Sequence, residues 1–498
     1  MSATKLEDEG ADLAARLAES AELMESLVRD RGQLVGIDAE LRERFLIAAG
    51  RVSRPNKRAR KALARARQKV DRNVKKKSDQ ELLNQTGIRK LRESPIFMTP
   101  RRLALFRGEG VGEGAAPSIG ATSEDRICYV CRAIFREVHH FYDQMCIECG
   151  DISFAKRDQR ADLRGRVALV TGARVKIGFQ AAIKLLESGC RVICTTRFPR
   201  DAAKRYAAEE GFAEWGDRLA IHGIDLRHSP SVEQLCQKLL ASESRLDFII
   251  NNACQTVRRP PGFYEHLMQA EAALECELEP RERALLPAIP AAGSGDRPGS
   301  SAALSQIELL AGDRDRGQHL FPVGQLDADL QQVDLRKVNS WRLKLAEVPT
   351  IELLEVHLVN AVAPFLFNAR LKPLMLAVPT RDKHIVNVSA MEGQFYRIFK
   401  TDRHPHTNMA KASLNMMTRT SAIDYHADGI HMNSVDTGWV TDEDPIEHAE
   451  LKREVHSFHP PLDIVDGAAR IVDPIFSGIN TGRHVWGQFL KDYRETDW

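Results

Sequence analysis

VALVTGARVKIG, Val167 to Gly178, is an apolar run that enters a Gly-bearing turn, and AAIKLLESG behind it has helical spacing. A strand that turns through small residues into a helix brings backbone N–H groups close to an anion. The helix N-terminus then favours the negative charge. The stretch therefore reads as a phosphate-binding turn at the start of a parallel sheet.

The pattern continues outward from that turn. RVICTT, RLAIHGI and LDFII are β-branched runs that predict strands, and AAKRYAAEEG and SVEQLCQKLLAS between them predict helices. The alternation breaks over 259–339 and returns from about Ser340. A long helix through Ile351–Leu371, strand HIVNVS, helix AKASLNMMTRTSAIDYHA and strand IHMNSV complete it. Strand–helix alternation of this length predicts an α/β fold, a doubly wound parallel sheet formed by 163–258 and 340–498. Residues 259–339 read as an insertion, partly disordered. Its segment Glu279–Ser301 is rich in Pro, Gly, Ser and Ala and is expected to be disordered. The end of the insertion, 321–341, is expected to be ordered.

Upstream lie two C-x-x-C pairs, Cys128/Cys131 and Cys146/Cys149, separated by 14 residues. Each pair places two thiolates at a tight turn, and two turns make a tetrahedral S4 set that suits zinc. The spacing is close to that of a zinc ribbon and predicts a small module over 124–157. Four thiolates leave no open position, so such a zinc is structural. His139 and His140 lie between the pairs and are competing ligands or packing residues. Phe141 and Tyr142 are its expected core.

The α/β segments resemble the short-chain dehydrogenase/reductase family. The likeness rests on Thr171–Gly172 and Gly178, Asp225–Leu226, Asn251–Asn252–Ala253, Asn360 in VNAVAPF, Ser389 in IVNVSAMEG, Lys411 in TNMAKASL, and VDTGWVT. It implies a Rossmann-type sheet, a nicotinamide cofactor, a carbonyl or alcohol substrate and, often, a homo-oligomer. Cofactor contacts are implied for Thr171, Gly172, Ile177, Gly178, Asp225, Leu226, Asn252, Ala253 and Lys411. The departures are Lys176 for the middle Gly of the first motif, Cys254 for the Gly of N-N-A-G, and Thr437 for the Pro of P-G. A basic residue in this turn faces the phosphates in pteridine-reductase-like members, which brings in Lys176 and Arg174. No acidic residue follows the strand CTTRF, so Arg197 nearby favours the 2′-phosphate of NADP(H) over NAD(H).

In the family a Tyr four residues before the Lys protonates the carbonyl oxygen, the Lys lowers its pKa, a Ser orients the substrate and an Asn supports a water relay. Ser389, Lys411 and Asn360 match. The Tyr position is Thr407, whose hydroxyl is far from a useful pKa. His404, His406 and Tyr396 are the candidate substitutes. The alternatives are that no acid is needed or that catalysis has lapsed, leaving a dinucleotide-binding sensor or scaffold.

At 498 residues, 43% of them hydrophobic, the chain is long enough for two or three domains. Nine cysteines, an odd number, exclude a disulfide scaffold and suit a reducing compartment. The start, MSATKLEDEGADL, lacks an apolar signal core, and no run of about 18 apolar residues predicts a membrane span. A cytoplasmic protein is expected. Residues 1–92 read as a helical, basic region, and Arg51–Arg92 holds 16 Lys/Arg against 3 Asp/Glu. That is a solvated face or an arm for nucleic acid or an acidic partner. Residues 93–123 read as a linker.

Overall fold

A computed structural model describes residues 3–100, 118–272, 278–287, 300–396, 400–441, 443–448, 451 and 459–498. The chain divides into two compact units, Met1–Asp79 and Gln80–Trp498.

The first unit is helical, with helices Ala3–Arg29 and Ala39–Ser53 and most of the helix Lys57–Asn84. The last of these combines strong helix formers with almost no apolar stripe. Leu83, beyond the unit boundary, is its one buried residue among those described.

The second unit is built on an eight-stranded sheet and a two-stranded hairpin. The hairpin pairs β1 (Ser118–Ile127) with β2 (Ile134–His139), antiparallel. The sheet contains β3 (Val167–Thr171), β4 (Arg191–Thr196), β5 (Leu219–Gly223), β6 (Phe248–Asn251), β7 (Lys383–Ser389), β8 (Ile430–Asp436), β9 (Phe489–Lys491) and β10 (Arg494–Thr496). Its order is β10-β9-β8-β7-β6-β3-β4-β5, parallel throughout except where β10 pairs β9. Strands β3, β6, β7 and β8 are buried along their whole length, because helices cover both faces. One face packs on helices Lys176–Glu187 and Ile464–Thr481 through Leu185, Val386, Ile471 and Ile475. The other carries Val232, Leu239, Phe367 and Leu371 of helices Ser229–Ser242 and Ala363–Leu376.

The helix Thr350–Leu376 is long and apolar enough, by length and composition, to cross a membrane. In this fold Ala363, Phe367, Leu371, Leu374 and Met375 lie in the core beside β6 and β7.

Two segments differ from expectation. β1 starts at Ser118, inside the stretch read as linker, whose residues 101–117 lie outside the described ones. Much of the insertion is packed rather than disordered. Phe263, Tyr264, Leu267, Ala302 and Phe321 form a small core with Phe198. Leu285 is buried in the main core, and its carbonyl accepts from Ile221 of β5 at 2.8 Å. Residues 288–299 of the segment expected to be disordered lie outside the described ones.

Candidate active site

The chain runs β3, β4, β5 outward and then returns to β6 on the other side of β3. Ligands bind where strand order reverses in this way, beyond the C-terminal strand ends. A cavity of about 1740 Å³ opens there. Its wall includes Gly172, Arg174, Lys176, Ile177, Gly178, Arg197, Asp225, Leu226, Asn252, Ala253, Ser389, His404, Thr407 and Lys411.

The Gly turn is held by close approach. Gly172 has φ +66°, and a Cβ on it would meet the Ala253 backbone at 2.8 Å. A Cβ on Gly178 would meet the Gly172 carbonyl at 2.5 Å. Asn252 Nδ2 donates to the carbonyls of Thr171 and Gly172, at 3.0 and 3.1 Å, and Ala253 N–H donates to Thr171 Oγ1 at 3.0 Å. Thr171 and Asn252 thus tie the turn to β6, and Thr171 itself is behind the cavity wall. Lys176 has φ +56°, so it takes a left-handed conformation that favours glycine while its side chain stays on the wall.

Arg174 is buried, paired with Asp201 at 2.7 Å and donating to Gln331 of the insertion at 3.1 Å. Arg197 donates to the Tyr264 hydroxyl at 2.6 Å and lies 4.5 Å from the centre of that ring. Asp225 is grasped by Arg227 through both carboxylate oxygens. Burial pushes the Asp225 carboxyl up, but the bonds and charge of Arg227 and the charge of Arg197 hold it below the usual range.

Thr407, Lys411 and Asn415 are four apart on helix Pro405–Ala427, hence on one face. That face meets the end of β7. Ser389 Oγ donates to Asn415 Oδ1 at 2.6 Å, and Lys411 Nζ donates to the Val388 carbonyl at 2.7 Å. Asn360 sits in a π-helical turn, Leu358–Val362, a feature frequent at functional sites. Its side chain exchanges hydrogen bonds with both backbone groups of Gln255, at 2.7 and 3.2 Å, behind the wall.

The proposed substitutes for Tyr separate. His404 lines the cavity, stacked on Trp341 at 3.8 Å, and burial lowers its pKa. His406 is buried off the cavity, 3.3 Å from Glu352. Tyr396 is half exposed and outside the lining. Thr407 Oγ1 is buried with no hydrogen-bond partner among the described residues.

Three contributions to the wall come from residues that sequence reasoning did not name. Gln331, Asp334 and Arg336 come from the insertion, Tyr129 from the first C-x-x-C, and Asp436 from β8. Only Asp436 carried a readable signal, its place directly before the altered P-G segment.

The four sulfurs of Cys128, Cys131, Cys146 and Cys149 lie within 4.8 Å of one another, with Cys131 and Cys146 3.7 Å apart. Tetrahedral thiolates about 2.3 Å from a centre lie about 3.8 Å apart, so the donor set fits one ion. His139 is committed elsewhere. Its Nδ1 accepts from Phe141 and Tyr142 N–H at 3.0 and 3.2 Å, and its Nε2 lies 3.2 Å from Asp151. His140 packs edge-on against Phe154, 4.8 Å between centres.

A family model described as short chain dehydrogenase matches residues 166–273, and one described as enoyl-(acyl carrier protein) reductase matches 337–461. The chain is 30% identical over 218 residues to a Pseudomonas aeruginosa 3-oxoacyl-(acyl-carrier-protein) reductase of rhamnolipid biosynthesis, covering 42% of this chain and 75% of that one. The chain belongs to the short-chain dehydrogenase/reductase family. An uncharacterized protein of Acanthamoeba polyphaga mimivirus is 31% identical over 369 residues, 70% of this chain and 71% of that one. That match is longer than the two Rossmann segments together, so the likeness extends beyond them. Among solved structures, a Burkholderia cenocepacia short chain dehydrogenase in complex with NADP aligns at TM-score 0.42 and 16% identity, over 66% of this chain and 97% of that one.

Proposed function

We propose that this short-chain dehydrogenase/reductase is an NADP(H)-dependent oxidoreductase that transfers a hydride between nicotinamide and a carbonyl or alcohol substrate. The observation that carries this reading is one cavity lined by the Gly turn, by Lys176 and Arg197, and by Ser389 and Lys411. The turn fits a dinucleotide: its glycines let the turn pack closely on Ala253 and Asn252, and the helix N-terminus behind it favours the charge of a pyrophosphate. Lys176 faces the phosphates, Arg197 the 2′-phosphate, and the Asp225–Leu226 corner the adenine. Lys411 holds the ribose, and Ser389 orients the substrate oxygen. When bound, the nicotinamide supplies the hydride. Thr171, Asn252 and Asn360 position the turn and the Gln255 loop. The four cysteines hold a structural zinc.

A second reading, a dinucleotide-binding sensor or scaffold without catalysis, is favoured by Thr407 in place of the family's Tyr. Equilibrium titration of the zinc-replete protein with NADPH and NADH, followed by nicotinamide fluorescence, is the test. Tight NADPH and weak NADH binding is expected. Binding of neither overturns the oxidoreductase reading, and NADPH binding with no turnover on any carbonyl compound selects the second.

A further inference from the structure

The altered family motif leaves this site without its acid, and the structure offers another group. Asp436 ends β8. In the parallel register it is paired with Ser389 on one side and with Lys491 of β9 on the other. Paired positions on neighbouring strands share a face, so Asp436 points to the side of the sheet that carries Ser389. That is the face on which Lys411 and Asn415 meet β7. Asp436 is buried and lines the cavity. Met391 N–H donates to its Oδ1 at 3.3 Å, a long bond that leaves a carboxyl oxygen for substrate.

We propose that Asp436 is the acid–base catalytic residue of this site, delivering the proton that the substrate oxygen takes up during carbonyl reduction. The proposal rests on the oxidoreductase reading. In that direction the carbonyl π bond breaks. The carbon accepts the hydride supplied by the reduced nicotinamide, and the oxygen accepts the proton of the Asp436 carboxyl. The carbonyl is reduced to an alcohol, the nicotinamide is oxidised, and Asp436 is left as a carboxylate for solvent to reprotonate. Oxidation of an alcohol runs the same path backwards, with the carboxylate as base.

The surroundings keep such a group in the working range. Burial, first, and then the negative charges of Glu392 and Asp492 push the Asp436 carboxyl up to about 6, against the opposing charge of Lys491 and the Met391 N–H. Tyr129, from the cysteine module, is close enough for the Asp436 charge to act on it. Thr407 Oγ1 has no comparable route to an accessible proton, because an aliphatic hydroxyl does not titrate near neutrality.

The test compares the wild type, Asp436→Asn and Asp436→Glu in NADPH titration, in reduction of benzaldehyde across pH, and in infrared titration of carboxyl groups. We expect Asp436→Asn to bind NADPH as the wild type does and to lose about 100-fold or more in kcat. Asp436→Glu should recover part of that loss. The wild-type reductive kcat should fall above pH about 6, and that limb should vanish in Asp436→Asn. A protonated-carboxyl band that titrates near the same pH should be missing from Asp436→Asn. Wild-type kcat and an unchanged pH profile in Asp436→Asn overturn the proposal, and so does a carboxyl titration identical in the two proteins. Should no NADPH bind, the oxidoreductase reading fails, and the infrared titration still decides whether Asp436 carries a proton near neutrality.

Discussion

Lys176 occupies, at φ +56°, a backbone conformation that costs a side-chain-bearing residue about 1–2 kcal/mol. Strain of this kind persists where the surroundings enforce it, and it gathers at ligand clamps. The turn that leads into Lys176 is tied down by the Asn252 bonds to the Thr171 and Gly172 carbonyls and by the close packing of Gly172 on Ala253. The strain is consistent with a lysine kept for its charge at the cavity wall. Lys176→Gly then separates the two effects. Unfolding free energy should rise by about 0.5–1 kcal/mol as the strain is relieved, less the entropy glycine loses on folding. NADPH affinity should fall about 10-fold or more, the value of one charge-assisted hydrogen bond. Denaturant unfolding and fluorescence titration of the same variant read both. An affinity equal to wild type would show that Lys176 does not touch the cofactor.

At the scale of elements, the legible parts were those whose pattern is dictated by burial on two faces. VALVT, HIVNVS and IHMNSV are apolar or β-branched enough to mark central strands, and each becomes one. SIGATSEDRI carries no such mark. It forms β1 in a hairpin with a single buried side chain, so its composition resembles a linker. The insertion was opaque for a different reason. Besides its small apolar core, which has no periodic pattern, it is held by long-range ion pairs and hydrogen bonds: Arg258 meets Asp313 and Glu355 in a buried cluster, and Arg205 donates to the carbonyls of Asp329 and Leu330 at 3.0 Å each. Pairs between residues so distant in sequence leave no local signal. The cysteine module was legible as a cluster of four sulfurs but not as a wall of the cavity. Arg157 on its helix Ile147–Asp158 makes two bonds to Asp463, at 2.7 and 2.9 Å, and Tyr142 donates to Asp466 at 2.5 Å. Breaking such a buried pair by removing one partner costs about 3–5 kcal/mol. With the proposed zinc bound, the module has two anchors, metal and ion pair. Cys146→Ser should lower bound zinc from one equivalent per chain to none, as read by metal analysis. It should also lower the melting temperature, because zinc binding energy is folding energy in such modules. Because Arg157 still anchors the helix, the Rossmann unit should keep its far-ultraviolet circular dichroism. A zinc-free wild-type protein would sink the metal assignment.

For the molecule as a whole, the response to acid follows from what it buries. His384 and His431 are register partners on β7 and β8, and His384 Nε2 lies 2.9 Å from His484 Nδ1. Burial, with the neighbouring histidines adding to it, holds His384 well below its ordinary value and His431 at about 4. Burial also lowers His222 to about 4 and His139 to about 3, with smaller downward shifts at His266, His357, His404 and His484. In the unfolded chain these histidines titrate near 6.5. Between that pH and their folded values, the unfolded state takes up protons that the native state refuses. Their contribution to stability is therefore complete above about 6.5 and is lost as pH falls toward 4. Buried carboxyls act in the opposite sense. Glu271, raised to about 7, and Asp436, raised to about 6, chiefly by burial, bind protons in the native state first and add stability as pH falls. Burial raises Glu209, Asp329 and Asp466 as well. The shifted histidines outnumber the raised carboxyls, and those on β7 and β8 are among the most fully enclosed. The balance predicts net proton uptake on unfolding at pH 5.5 and a melting temperature lower at pH 5 than at pH 7.5. Calorimetry in buffers of different ionisation enthalpy measures the uptake directly. Proton release at pH 5.5 would mean that the carboxyls dominate and that the histidine cluster is already charged in the folded protein.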